Sequence, residues 1–479
     1  MSLLEALEAV SPDDHRILQA LSVVYEPITQ GNLLSMLRQL GWQGADGKSL
    51  GNRLNKTWRE PLVAAKLLLI DQNGLAVARE LAEILTRETV RNGTFNELLT
   101  AAETIVSSQP FYARQPQTVV RLTRRLRNAL YAGREGEVLR LLGIEHWSGV
   151  EPVDAGKIDA LVRVCTNPLD PDWLETLTPR LRVLALVPKL DVLAYHLRAD
   201  DALDAAAQRL LTPLVESQPL ALATLVEQHL LRGRFDQAAG LLSSQVSTLV
   251  LPLIGWLHAV QGRRDESLGI FELYLKTLKR ETRRRNIPIA GLPGVLHVLG
   301  LLARNSPEDQ VQFKHQIQVE MQQLQRDSFR MTWQLIEDLG AVLTGLRQFG
   351  DAQSIQITPP ASRPFDRLFQ ALALHWLGER PKDSALVALD KHCREAIKGG
   401  WLWYAWEVQA LLDRLGRPMK NVELPPPPEG TPRLADWMKS KSRWEIALDA
   451  LTGVGAGRSS TESSDGEADR RMCWWLHEY

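Results

Sequence analysis

Between Lys48 and Arg59 the chain carries Lys48, Arg53, Lys56 and Arg59 and no acid, with Asn52, Asn55 and Thr57 interspersed. These residue types handle nucleic acid: Lys grips phosphates, while Arg and Asn read base edges. On a helix, Asn52, Lys56 and Arg59 stand at i, i+4 and i+7 and share a face, opposite an apolar stripe of Leu50, Leu54 and Trp58. A second run, "KTLKRETRRRN", sets Lys276, Lys279, Arg280, Arg283, Arg284 and Arg285 against Glu281, a local net charge of +5. Six phosphate contacts would make binding steeply salt-dependent. The alternative is a solvated helix end, since cations favour a C-terminal turn. Five net charges exceed what a cap needs, so the run points to an anionic partner. Arg121, Arg124, Arg125 and Arg127 in "RLTRRLR" form a smaller third cluster.

Catalytic patterns are missing by comparison. "GADGKS" (44–49) ends like a phosphate loop, but Trp42 stands where a Walker A motif needs its first Gly, and a helix rather than a strand precedes it. Lys48 and Ser49 are better read as opening a third helix. Cys165, Cys393 and Cys473 are isolated, without metal-ligand or disulfide-framework spacing, which fits a reducing compartment. The sequence holds no HExxH, no nucleophile elbow and no dinucleotide glycine motif. Neither an enzymatic activity nor a cofactor is expected of this chain. "GGWLWYAW" (399–406) crowds four rings together, which suits helix packing or, alternatively, base stacking.

The elements that must position these residues begin with a compact first unit. Pro12 and Asp13-Asp14 start a helix with Ile17, Leu18, Leu21 and Val24 on one face. A second follows Thr29, with Leu33, Leu34, Leu37 and Leu40 on its stripe and Gly41 as its stop. The third is the basic segment, which Pro61 is placed to bend or divide. "LLLIDQNGLAV" (67–77) then reads as two strands joined by Asn73-Gly74. Three helices and a hairpin make the order of a winged helix, a module that serves DNA recognition or protein docking. The strands carry no Lys or Arg, which counts against a wing that grips the DNA backbone.

From 95 to 420 the pattern is helical almost throughout. "LVEQHLLRGRFDQAAGLL" (225–242) and "IGWLHAVQGRRDESLGIFELYL" (254–275) share a plan: an apolar helix, Gly-Arg, an Asp three residues after the Gly, and a second apolar helix. Gly would supply a left-handed C-cap and Asp an N-cap. Weaker echoes at 131–143 and 377–391 suggest an α-solenoid of irregular tetratricopeptide-like hairpins. "LPPPPEGTP" (424–432) reads as a stiff linker before a short amphipathic helix with Leu434, Trp437, Trp444, Ile446 and Leu448. The Gly/Ser-rich acidic stretch 455–469 reads as disordered. The final "RRMCWWLHEY" is either a segment that docks back on the body or the start of a further domain.

A net charge of -1 provides no global attraction to nucleic acid or membrane, so local patches must do so. The N-terminus lacks the basic region and cleavage site of a signal peptide, and no apolar run approaches the roughly 18 residues of a membrane span. The expectation is a cytoplasmic protein without membrane contact.

The winged-helix-like start, the tetratricopeptide-like array and "RRMCWWL" (470–476) after an acidic linker resemble the N-terminal region of large bacterial Swi/Snf-type helicase-like ATPases. The resemblance implies that the DNA-stimulated ATPase motifs lie outside this chain and that "RRMCWWL" is the first strand before their core. A weaker likeness is to regulatory solenoids of bacterial transcription activators, in which the DNA-binding module usually follows the array.

The expectation is therefore an all-α chain: a winged-helix-like domain (1–92), a solenoid (93–423), a Pro-rich linker with a short helix (424–454), an acidic linker (455–469) and a terminal segment (470–479). Its expected role is nucleic-acid recognition, probing DNA through Asn52, Lys56 and Arg59 with support from 276–285, while a partner protein or adjoining ATPase domain is held by the array. The competing reading is a protein-only scaffold.

Overall fold

The computed structural model describes residues 3–107, 119–144, 155–244, 247–289, 291–304, 306–323, 333, 335–337, 339–340, 363–378 and 380–438. The fold is all-α, with one two-stranded sheet among the described residues. It divides into two compact units, Met1–Ser148 with Val153–Leu186, and Gly149–Pro152 with Val187–Tyr479. The boundary expected at 92 falls inside the first. Trp444, Ile446, Leu448, the acidic stretch 455–469 and the terminal segment with Cys473 lie outside the described residues.

The first unit opens with α1 (Leu3–Glu8), α2 (Pro12–Val24), α3 (Gln30–Gln39) and α4 (Lys56–Ala64). Ser11 and Thr29 cap α2 and α3, their side chains accepting from Asp14 N at 3.2 Å and Asn32 N at 3.2 Å. Ile17, Leu18, Leu21 and Val24 are buried as their spacing requires, and so are Leu33, Met36 and Leu37 of α3. Burying such a side chain contributes roughly 1.5–3 kcal/mol. Strands β1 (Leu68–Asp71) and β2 (Gly74–Val77) then pair antiparallel, Asp71 opposite Gly74 and Leu68 opposite Val77. The turn residues are therefore Gln72 and Asn73, one position earlier than the Asn-Gly signal suggests. Gly74 serves another purpose: β2 bridges Ile28 on its far side, and a Cβ at Gly74 would stand 2.2 Å from the Ile28 carbonyl oxygen.

Helices α5 (Arg79–Arg91), α6 (Phe95–Ser107), α7 (Val119–Tyr131), α8 (Glu135–Leu142), α9 (Ala155–Thr166), α10 (Pro171–Thr176) and the start of α11 (Pro179–Tyr195) complete this unit. A buried polar network binds them. Arg127 of α7 donates to Glu83 Oε1 at 2.7 Å and to Ala82 O at 3.1 Å, and lies over the Tyr25 ring. Tyr131 donates to Glu83 Oε2 at 2.7 Å. Arg87 donates to Tyr131 Oη at 3.2 Å, Pro168 O at 2.8 Å and Val164 O at 2.8 Å, with its guanidinium over Trp173.

The second unit continues with α12 (Asp201–Leu211), α13 (Pro219–Leu231), α14 (Phe235–Ser244), α15 (Leu251–Val260), α16 (Arg264–Thr282), α17 (Gly291–Arg304) and α18 (Pro307–Gln323). After residues outside the description come α19 (Pro364–Trp376), α20 (Asp383–Lys398) and α21 (Leu402–Arg414). Gly233 and Gly262 have φ of 70° and 79° at the turns between paired helices, and so does Gly133 of the first unit at 68°. Each turn closes with the same two bonds: Arg234 N to His229 O and Gly233 N to Leu230 O, Arg263 N to His258 O and Gly262 N to Ala259 O, Arg134 N to Ala129 O and Gly133 N to Leu130 O. This is the Schellman ending that the repeated Gly-Arg announces. The aspartates are not the N-caps expected. Asp236 and Asp265 sit within the first turns of α14 and α16, where they complement the positive end of the helix dipole.

Unit two also makes contacts far apart in sequence. Trp403 stacks edge-on against Trp256 with centroids 5.2 Å apart, Trp406 meets Phe235 at 6.2 Å, and Trp401 donates to Arg198 O at 3.2 Å. In a strictly linear array each repeat touches only its neighbours; here α21 returns to pack on α13 and α15. The polyproline stretch is not a free linker either. Trp406 donates to Pro425 O at 2.6 Å, Leu434 N to Glu407 Oε2 at 2.7 Å, Trp376 to Ala435 O at 3.3 Å, and Arg264 to Trp437 O at 3.3 Å. The segment is a strap, ending in a single 3-10 turn (Leu434–Asp436) within the described residues.

Candidate nucleic-acid interface

The basic segment of unit one folds differently from a single helix. Lys48 lies in a loop, Leu50–Arg53 form one 3-10 turn, and Leu54 and Asn55 break the chain before α4 begins at Lys56. Asn52 therefore does not share a continuous helical face with Lys56 and Arg59, which leaves the latter two at i, i+3 on α4. Pro61 sits within α4 without ending it. Leu50, Leu54 and Trp58 are buried as expected.

Several of these side chains have internal work. Arg53 pairs with Asp13 and lies 3.8 Å from Asp14, clamping the 3-10 turn to the start of α2. Asn55 is the N-cap of α4, its Oδ1 accepting from Trp58 N at 2.9 Å. Lys56 is exposed but sits 3.5 Å from Glu60 one turn on. Asn52 is exposed and Arg59 half-buried, and neither makes a side-chain hydrogen bond or ion pair with another described residue. Lys48 is also exposed.

Most amides of the adjoining "GADGKS" loop are engaged within the protein. Gly44 N donates to Lys48 O, Gly47 N to Gly44 O, Ala45 N to Asp13 and Lys48 N to Asp46. A nucleotide cradle needs those N–H groups pointing outward.

The third cluster is interior. Arg127 is fully buried in the network above, and Arg124 lies 3.2 Å from the buried Glu26. Arg121 and Arg125 are half-buried on the same helix. Two of the four arginines are thus taken up in ion pairs, because α7 turns Arg127 towards Glu83 of α5 and Arg124 towards Glu26 of the α2–α3 connection.

The run 276–285 is the opposite case. Lys276, Lys279 and Arg280 stand at i, i+3 and i+4 on the last turns of α16, and Arg283 follows at i+7 as its left-handed C-cap, with φ 57°. All six cations of the run are exposed. Lys276, Lys279, Arg280, Arg283 and Arg285 make no ion pair or side-chain hydrogen bond with another described residue; Arg284 has a partner. Glu281 is turned to Thr248, whose hydroxyl donates to it at 3.1 Å.

What holds this array was not legible as chemistry. Phe271, Leu275 and Leu278 of α16 form a core with Ile287 and Ile289, so the chain folds back under the arginines. Ile289 N donates to Glu320 Oε1 at 2.7 Å, and Gln316 donates to Ile287 O at 3.1 Å. The alternating "NIPIA" after the arginines is the signal that could have announced these anchors. The cations thus stand on a built lobe rather than on a frayed helix end.

Other chemistry is sparse. Burial raises the carboxyls of Asp191 and Glu227, Glu227 to about 7, with the Glu227 charge also raising Asp191, and Tyr195 donates to Glu227 at 3.5 Å. No group of three or more His, Cys, Asp or Glu able to hold a metal occurs among the described residues. Burial pushes the Cys393 thiol up to about 12 and raises Cys165 too, so neither is a ready nucleophile. Trp401, Trp403, Tyr404 and Trp406 are all buried, which assigns them to packing rather than base stacking. No described helix is long and apolar enough to cross a membrane.

Comparison with protein-family models, curated proteins and solved structures finds no match for this chain.

Proposed function

We propose that this chain is a recognition and regulatory region, without a reaction of its own, that binds nucleic acid, DNA in particular, and holds an adjoining ATPase domain or a partner protein. The observation that carries this reading is the exposed cation array on the α16 lobe. Lys276 with Arg280, and Lys279 with Arg283, are like charges one turn apart, each pair costing a few tenths of a kcal/mol in an isolated helix. An anionic ligand turns that repulsion into attraction. In unit one, α4 with Lys56, Arg59 and the nearby Asn52, followed by a hairpin, is the arrangement a winged helix would use for a second, weaker contact. The resemblance to Swi/Snf-type regions supports a place beside an ATPase core.

Fluorescence anisotropy of the chain with labelled duplex and single-stranded DNA, at two salt concentrations about fourfold apart, tests the reading. Binding that collapses at the higher salt is expected. No binding to either strand form at the lower salt would sink it.

A protein-docking reading of unit one has its own support. Val63, Leu69 and Ile70 are exposed, and β1 is the outer strand of its sheet. Open apolar strand edges are suited to pairing with another chain.

A further inference from the structure

We infer that the α16 lobe is a sequence-independent site for the backbone of duplex DNA, formed by Lys276, Lys279, Arg280 and Arg283, and that this lobe rather than α4 sets the salt dependence of binding. The inference rests on the nucleic-acid reading above and adds which form is bound, by which surface, and what is read.

Length and placement come first. From residue 276 to 283 a helix rises about 10 Å. One DNA strand advances about 3.4 Å per phosphate along the axis, so the stripe faces roughly three successive phosphates. The stripe is fixed from below by Phe271, Leu275, Leu278, Ile287 and Ile289, so little side-chain scaffold has to order on binding. Glu272 stands one turn before Lys276, but no ion pair joins the two.

The stripe's composition leaves base reading only its arginines, which bind phosphate as readily. Between Lys276 and Arg285 there is no Asn or Gln to pair with adenine; the polar residues besides the cations are Thr277, Glu281 and Thr282. Single strands are normally held by stacking on exposed rings. Every described aromatic ring in this protein is buried or half-buried, and Tyr274, on α16 itself, packs against the lobe's core. Charge without rings or amides is the equipment of a backbone clamp.

Arg283 supplies a test that separates binding from folding. Its φ of 57° is a conformation that glycine adopts freely and a side chain does not. Arg283→Gly should therefore leave thermal stability unchanged or raise it, while removing one phosphate contact.

The experiment is anisotropy with the full chain on two duplexes of unrelated sequence and on a single strand of equal length. Salt titrations compare wild type, Arg283→Gly, a combined Lys276→Gln, Lys279→Gln and Arg280→Gln variant, and a combined Lys56→Gln and Arg59→Gln variant. Thermal melts confirm that each is folded. With the four cations of the stripe engaged, wild type should weaken on the order of a hundredfold over a fourfold salt increase. Both duplexes should bind alike and more tightly than the single strand. The logarithmic salt slope should fall by about 1 in Arg283→Gly, by roughly 3 in the lobe variant, and by less in the α4 variant. Preference for the single strand, a large difference between duplexes, or a wild-type slope in the lobe variant would overturn the inference. So would competition by poly-glutamate as effective as by duplex at equal charge, which would assign the lobe to acidic polypeptides. If the α4 variant alone abolishes binding, the nucleic-acid reading stands and this one falls; if wild type binds no DNA, both fall.

Discussion

Three arginines show how one residue type meets three fates. Arg127 is sealed between α5 and α7 by Glu83, Arg53 is drawn to Asp13, and Arg283 points to solvent. Local sequence looks alike in each case, a stretch with more bases than acids. The acids that decide the matter lie some forty residues away, at Glu83 and Asp13, so no window of sequence contains them. Removing one partner of a buried pair leaves the other charge unpaired, at a cost of about 3–5 kcal/mol. Arg127→Ala should therefore lower stability by that amount in urea unfolding, while leaving DNA binding by the folded protein unchanged. A loss below about 1 kcal/mol would mean that Glu83 finds other donors and the network is not what joins α5 to α7.

At the scale of elements, the hairpin was legible and its turn was not. Two short apolar runs and Asn-Gly located two strands, but Gly74 is required by the approach of Ile28, a contact that exists only once the α2–α3 connection lies beside β2. Gly41 offers a control, since it too has positive φ, 64°, but meets nothing within 4 Å of a built Cβ. Gly41→Ala should cost about 1 kcal/mol, the ordinary backbone penalty, and Gly74→Ala distinctly more, because the Ile28 backbone must move. Equal losses on denaturation would show that the bridge gives way easily. The basic third helix failed for a related reason. Its periodicity ran unbroken through Leu54, yet Asn55 caps a new helix and Arg53 is pulled back to α2, so propensity yielded to a cap and a clamp.

At the scale of the molecule, the strap makes unit two respond to pH. Glu407 is buried at 1% exposure beneath it, and burial raises its pKa to about 7, with the Leu434 amide and Arg433 opposing the shift. A carboxyl whose folded value is raised contributes stability that is present below its unfolded value, 4.5, and lost as pH rises through about 7. That displacement corresponds to roughly 3 kcal/mol. Melting of wild type and Glu407→Gln across pH 4.5 to 8 should converge on one another's slope outside this window. Inside it, wild type should lose stability relative to the variant as pH rises. Parallel profiles throughout would show that Glu407 ionises without strain and that the strap is not tied to its protonation.

Sequence alone determined the all-α class, the positions of the hairpins with their left-handed glycines, the two-stranded sheet and the two cation runs, because these depend on periodicity, capping residues and local charge. Only tertiary structure decided which cations remain available. Arg127, Arg124 and Arg53 are absorbed by distant acids, while 276–285 is lifted clear by Ile287 and Ile289 folding beneath it. It also decided that the ring-rich segment and the polyproline stretch are core and strap. The rings' partners Trp256 and Phe235 lie more than a hundred residues away in sequence, and the strap is held by side chains of other helices, Trp376, Trp406 and Glu407; contacts of that kind leave no periodic trace in either segment.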